Sequence, residues 1–224
     1  MSGFSYPEWI GEVYPEGTKR DGMLASYATI FPVVEINMSF RRTPQDKTIA
    51  KWREAVPESF LFTMKAHQRI THWKRLSDVA EDVGTFVKAC QGLGPKLGPI
   101  LFQVPPSLTF DAALIDGFGA SLVPGCSYAF EPRDPSFLTP EALGALRRHG
   151  IALCLNDDFF EPSRYEPTGP FVYFRFHRDV YAPGDIEARA ELVKSYDTDV
   201  YAIFQHEDNP ESVKPALRFL ELVS

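Results

Sequence analysis

Long hydrophobic runs are missing from this sequence. None approaches the ~20 apolar residues of a membrane span, so no membrane partner is expected. The N-terminus has no basic stretch followed by an apolar core, so no signal peptide is read there and the cytoplasm is the expected compartment. Cysteine is scarce. Cys90, Cys126 and Cys154 are odd in number and widely spaced, which argues against a disulfide framework and a zinc knuckle. Cys154, inside the apolar run Ile151–Leu155, reads as a buried structural thiol. Positive charge is also short: 23 Lys and Arg face 30 Asp and Glu, a net charge of −7. Such a surface repels phosphate backbones, so bulk nucleic-acid binding is not expected, although a small local basic pocket stays open.

Two further absences narrow the chemistry. No Gly-x-Gly-x-x-Gly follows a first strand, so the dinucleotide-binding reading lacks its fingerprint. The glycine-rich stretch from Gly92 to Gly98 contains Lys96, but it precedes a strand. Its amides are not set to cradle a phosphate, and it reads as a helix-to-strand connection. No His-x-His or His-x-x-x-His spacing occurs. Glu35, Glu131, Asp157 and His177 are metal-ligand types from different strands, yet without that spacing no metal site is assigned and no cofactor is named.

What is present is a repeating unit: a short apolar run, a polar residue at its end, a loop, then a helical pattern. Seven runs recur, at Pro32–Ile36, Phe60–Met64, Pro99–Val104, Tyr128–Phe130, Ile151–Leu155, Phe171–Phe176 and Val200–Phe204. They do not alternate strictly, as befits parallel strands covered on both faces. Between them, Thr43-Pro44, Thr139-Pro140 and Asn209-Pro210 each offer an N-cap before a proline at the first helical position. Arg147-Arg148-His149-Gly150 closes a helix with cations and a C′ glycine. Ile186, Ala190 and Val193 form one apolar stripe, and Val213, Ala216, Leu217 and Leu220 another. The expectation is one domain over residues 1–224, an α/β TIM-type (β/α)8 barrel whose first strand is truncated or very short.

In such barrels chemistry sits at the C-terminal strand ends. There this sequence offers Glu35 and Asn37, then Lys65 with Thr71 and His72, then Gln103. Glu131 and Arg133 follow, then Asn156, Asp157 and Asp158, then Arg175 and His177, and finally Gln205 and His206. Glu35, Lys65 and Arg175 stand inside apolar runs, where a lone charge is costly, so they must pair or face a wet cavity. A ligand site and a structural ion-pair ring both satisfy that demand. Residues two apart on a strand share a face, which couples Arg175 to His177; Glu131 and Arg133 have the same spacing. The functional expectation assigns Glu35, Glu131 and His177 as acid/base groups. Asn37, Lys65, His72, Gln103, Arg133, Asp157 and Arg175 are assigned to substrate binding. A small anionic ligand, a phosphoester or a carboxylate-bearing sugar, suits that mixture, and a hydrolase or isomerase-type enzyme suits the groups. The alternative is a non-catalytic module binding a metabolite or a nucleic-acid end.

The same residues carry a resemblance. Ser5-Tyr6-Pro7-Glu8-Trp9, Val34-Glu35-Ile36-Asn37 with Ser39-Phe40, Lys65-Ala66 with Thr71-His72, Leu97 to Pro106, Glu131-x-Arg133 and Tyr173-x-Arg175-x-His177 occur in order. With them the whole chain resembles the YecE-like family, domain of unknown function 72. The resemblance implies a TIM-type barrel with a polar pocket at the C-terminal rim, and implies no reaction. The chain departs from that family's pattern in four places. It opens Met1-Ser2-Gly3-Phe4 where an apolar first strand is usual, Pro132 replaces an aromatic, Arg178 replaces a glycine, and Phe204-Gln205-His206 replaces Phe-Asn-Asn. Residues 2 to 5 are therefore expected to form a very short strand, or else the start lies further upstream.

Overall fold

The computed structural model describes residues 1–158, 166–205 and 210–224. Among them are seven strands: β1 (Val33–Ile36), β2 (Leu61–Lys65), β3 (Leu97–Gln103), β4 (Tyr128–Glu131), β5 (Ala152–Asn156), β6 (Val172–Phe176) and β7 (Val200–Phe204). Each pairs in parallel with the next, in chain order from β1 to β7. Seven helices cover them: α1 (Met23–Ala28), α2 (Asp46–Glu54), α3 (Ala80–Gln91), α4 (Ala112–Ala120), α5 (Pro140–Arg148), α6 (Asp185–Lys194) and α7 (Val213–Val223). This is a nearly closed TIM-type α/β barrel.

The expected helix signals act as their chemistry requires, with shifts at some ends. Thr139 caps α5 by accepting from the Ala142 amide, with Pro140 at the first position. Gly150 follows α5 at φ 62, the left-handed turn expected there. At the Thr43-Pro44 signal α2 instead starts at Asp46 with Gln45 as N-cap, a two-residue offset of the kind helix ends commonly show. Asn209 lies outside the described residues, and α7 begins after Ser212.

Strand parity divides the core in two. Side chains pointing outward, such as Val34, Phe62, Phe102, Phe130, Phe174 and Phe204, join the large cluster beneath the helices. Those pointing inward, Leu101, Ala129, Ala152, Cys154, Phe171, Tyr173 and Ile203, fill the lower barrel. That interior is packed, not a pore.

The seam between β7 and β1 is closed by the chain's first three residues. The Ser2 amide donates to the Phe204 carbonyl at 2.9 Å, Gly3 donates to Glu35 at 2.8 Å, and Glu35 donates to Met1 at 3.0 Å. Ser2 pairs with Glu35 as a single parallel bridge. The first strand is thus very short, and it satisfies edge groups that would otherwise lie open. Gly3 holds φ +85, and a Cβ there would collide with the Tyr6 hydroxyl, which itself donates to the Ser2 carbonyl at 2.8 Å. Gly3→Ala is therefore expected to cost about 2 kcal/mol from backbone strain. Urea denaturation checks this, with a lower midpoint at unchanged m expected.

Candidate functional site

A polar layer caps the barrel interior. It takes one side chain from the end of each strand, namely Glu35, Lys65, Gln103, Glu131, Asn156, Arg175 and Gln205, together with Ser2. All seven strand-end positions follow from the sequence reading, and they converge.

Arg175 is the hub. It is 1% exposed, between two carboxylates that are each 0% exposed. Its Nη2 donates to Glu35 Oε1 at 2.7 Å, and its Nη1 donates to Glu131 Oε2 at 2.6 Å. Nη1 also donates to Gln103 Oε1 at 3.2 Å. With the Gln205 amide turned to suit its neighbours, its oxygen accepts from Arg175 Nε and Nη2, each at 3.3 Å. A guanidinium has five N–H groups in a fixed fork, and every nitrogen of this fork is engaged.

The carboxylates are equally well satisfied. Glu35 Oε2 accepts from the Tyr173 hydroxyl at 2.8 Å, and Thr63 lies 2.9 Å from that hydroxyl on its other side. Burial and the Glu35 charge hold the Tyr173 phenol well above its ordinary pKa, so it stays a donor. Glu131 Oε1 accepts from Asn156 Nδ2 at 3.1 Å and pairs with Arg133 Nη2 at 2.9 Å. Burial opposes ionisation of Glu131, but Arg175 and Arg133 outweigh it and hold its pKa below the usual range. The two glutamates therefore face each other across a guanidinium, which occupies the space a glycosidase pair would leave for its bond.

Above this layer the rim is half-buried. Arg133 reaches it at 23% exposure, within 3.7 Å of Asp158. Asn37 bonds to the Ser2 hydroxyl. His177 stands 3.7 Å from Asp158 through Nε2 and 4.0 Å from Asp157 through Nδ1. Lys65 differs from the rest: among the described residues its ammonium has no hydrogen bond or ion pair and lies 4.7 Å over the Phe40 ring. Burial, then the Arg175 charge, lower its pKa to about 8. His72 packs edge-on against the same ring, centroids 4.9 Å apart. Burial and the Lys65 charge lower its pKa also.

Asp157 turns away from the mouth. One carboxylate oxygen accepts from the His177 and Arg178 amides and from Tyr181, and the other accepts from Arg189 Nη2 at 2.5 Å. Arg189 is 2% exposed and comes from α6. Asp157 is thus a clasp for the loop after β6. Among the described residues no group of three or more His, Cys, Asp or Glu is placed to hold a metal ion, and His206 lies outside those residues.

The comparisons agree with this fold. A family model described as a protein of unknown function, DUF72, matches residues 1–224. The chain belongs to the DUF72 family. A DUF72 protein from Thermotoga maritima MSB8 superimposes with a TM-score of 0.84 at 26% identity, covering 99% of this chain and 96% of that one. A second, from Enterococcus faecalis V583, gives 0.77 at 22% identity over 92% and 95%. The UPF0759 protein YunF of Bacillus subtilis (strain 168) is 33% identical over 102 residues, 42% of this chain and 36% of that protein.

Within this DUF72 barrel the sequence reading missed Ser2, Thr63, Tyr173 and Arg189. Two of these carried a signal. Tyr173 shares the parity of Arg175, and Thr63 that of Lys65, so both had to point inward. Ser2 belongs to a stub too short for any period, and Arg189 sits on a helix among acidic neighbours.

Proposed function

We propose that this DUF72 barrel is an enzyme that binds a small anionic substrate, a phosphoester or a carboxylate-bearing sugar, at its C-terminal mouth. One observation carries the reading: three cations, Arg175, Arg133 and Lys65, stand against two buried carboxylates, and the Lys65 ammonium has no counter-ion among the described residues. A half-buried cation without an ion-pair partner is costly, and an incoming anion relieves that cost.

Arg133 and Lys65 hold the anion in this reading, with Asn37 and Gln103 as neutral partners. Arg175 is saturated and acts through its neighbours, fixing Glu35 and Glu131 as a rigid floor. His177 and His72, half-buried at the mouth, are the candidate proton-transfer groups.

Sulfate tests the binding half, because it does not titrate near neutrality. Thermal stabilisation by sulfate is expected, weakened roughly 10–100-fold by Lys65→Met or Arg133→Ala, as loss of one charged hydrogen bond implies. Lys65 holds an anion only while protonated. Binding is therefore strongest below pH 8 and weakens toward the Lys65→Met level as pH rises through about 8, whereas Lys65→Arg carries it to higher pH. A substrate panel with and without divalent metals tests the catalytic half. Turnover that falls in His177→Ala supports it, and saturable binding without turnover makes the protein a metabolite-binding module instead.

A further inference from the structure

We infer that Lys65 is a nucleophilic amine that forms an imine with a carbonyl-bearing anion, such as a keto acid or a phosphorylated aldose or ketose. This rests on the anionic-substrate reading above and names the substrate's second functional group.

The local structure builds this amine deliberately. Lys65 ends β2 with Thr63's parity, so its side chain enters the polar layer and not the helix-facing core. Its backbone is pinned, because the buried Ser39 hydroxyl donates to the Ile36 carbonyl at 2.6 Å and lies 2.7 Å from the Lys65 carbonyl. Ser39 thereby fixes the next residue, Phe40, whose ring lies under Nζ. Every other charged member of the layer is paired. Lys65 instead has an aromatic face, the nearby Arg175 and Arg133 charges, and the mouth above it. Burial and the Arg175 and Arg133 charges favour the free amine and outweigh the opposing Glu35 and Glu131 charges. With its pKa at about 8, Lys65 carries roughly 200-fold more neutral amine at pH 7 than an ordinary lysine.

The step balances. The neutral Nζ lone pair attacks the carbonyl carbon, a C–N bond forms, and one proton passes from that nitrogen to the oxygen, giving a neutral carbinolamine. The nitrogen then forms C=N as the C–O bond breaks, and the oxygen leaves as water with one more proton. The product is a protonated imine, so the layer keeps its positive charge and Arg133 still holds the anionic end. His72 is placed to relay the protons. Its Nδ1 lies 2.8 Å from the Thr71 hydroxyl, and its Nε2 has no partner among the described residues. Burial and the Lys65 charge keep the ring neutral.

The full chain is incubated at pH 7.5 with pyruvate, dihydroxyacetone phosphate or pyridoxal phosphate and cyanoborohydride, and each lysine is read by peptide mass spectrometry. Hydride delivery to the imine carbon leaves a stable secondary amine. The expected result is labelling of Lys65 at least tenfold above the median of the other lysines with at least one probe. Lys65→Arg abolishes that label, because guanidinium is not nucleophilic. His72→Gln slows trapping about tenfold. If sulfate binds but no probe labels Lys65 above the exposed lysines, the imine inference is overturned and the anion site stands. If sulfate does not bind while Lys65 is labelled, the imine stands and the anion-holding role is overturned. An unchanged trapping rate in His72→Gln removes that residue from the step.

Discussion

Arg175→Ala is expected to destabilise the barrel by about 3–5 kcal/mol, the usual cost of removing one partner from a buried ion pair. For a chain of this size that is a fall of roughly 10 °C in Tm. The reason is specific. Glu35 and Glu131 are each 0% exposed, and without the guanidinium two like charges remain in the barrel with no cation between them. Desolvation then pushes both carboxyls toward protonation. In the native protein Glu131 is held below its ordinary 4.5, so its stabilising contribution is present above that value and lost as pH falls through the native one. In the variant the sign reverses. A raised pKa favours the folded state below the unfolded value and penalises it as pH climbs. The gap in Tm between Arg175→Ala and wild type should therefore be widest near pH 7 and narrow toward pH 4.5, read by scanning calorimetry across that range. The triple variant Glu35→Gln, Glu131→Gln, Arg175→Met removes all three charges together. It should recover more than half the loss, because uncharged replacements of similar volume avoid the large cost of desolvating unpaired charges. A triple variant as unstable as Arg175→Ala would show that shape, not charge, dominates the layer.

That expectation also separates the two readings left open by the sequence, in which charges within apolar runs had to pair with each other or face a ligand. The layer shows pairing at three of these residues, and the proposed ligand site draws on the others. Arg175, Glu35 and Glu131 neutralise one another below the rim, while Lys65 and Arg133 present charge above it. Strand parity made the membership legible, because a charge inside an apolar run of a covered parallel strand has only the barrel interior to enter. Parity says nothing about who pairs with whom. Arg175 and Lys65 look alike in sequence, each flanked by apolar residues, yet one is saturated and the other has no counter-ion among the described residues. The difference arises from neighbours more than 70 residues apart, Gln103 and Glu35 among them. Loop residues were least legible. A strand fixes where a side chain points, whereas Asp157, one residue past β5, was free to turn either way.

It turned toward α6, and that sets the second large effect. Asp157→Ala is expected to cost about 3–5 kcal/mol, because it removes the buried carboxylate that pairs with the Arg189 guanidinium, 2% exposed. Arg189 would keep its bond to the Asp185 carbonyl and its stacking on Phe176 and Tyr181, with centroid distances of 5.1 and 4.9 Å. None of these supplies negative charge. The same carboxylate also holds the His177 and Arg178 amides, so its loss frees the loop that carries His177 over the mouth. Asp157→Asn retains an acceptor oxygen and should lose about half as much. Hydrogen exchange distinguishes the two consequences. In Asp157→Ala, protection at His177 and Arg178 should fall far more than at the β3 amides, whereas a uniform fall would mean that the clasp only stabilises the barrel as a whole. Sulfate affinity gives the complementary reading. Lys65 ends β2 and Arg133 follows β4, so binding should survive at temperatures where the variant is folded. Any turnover that depends on His177 should drop at least tenfold, because its imidazole is no longer fixed. The clasp would then be a positioning device for the acid/base group, built from a residue that sequence alone assigns to the substrate.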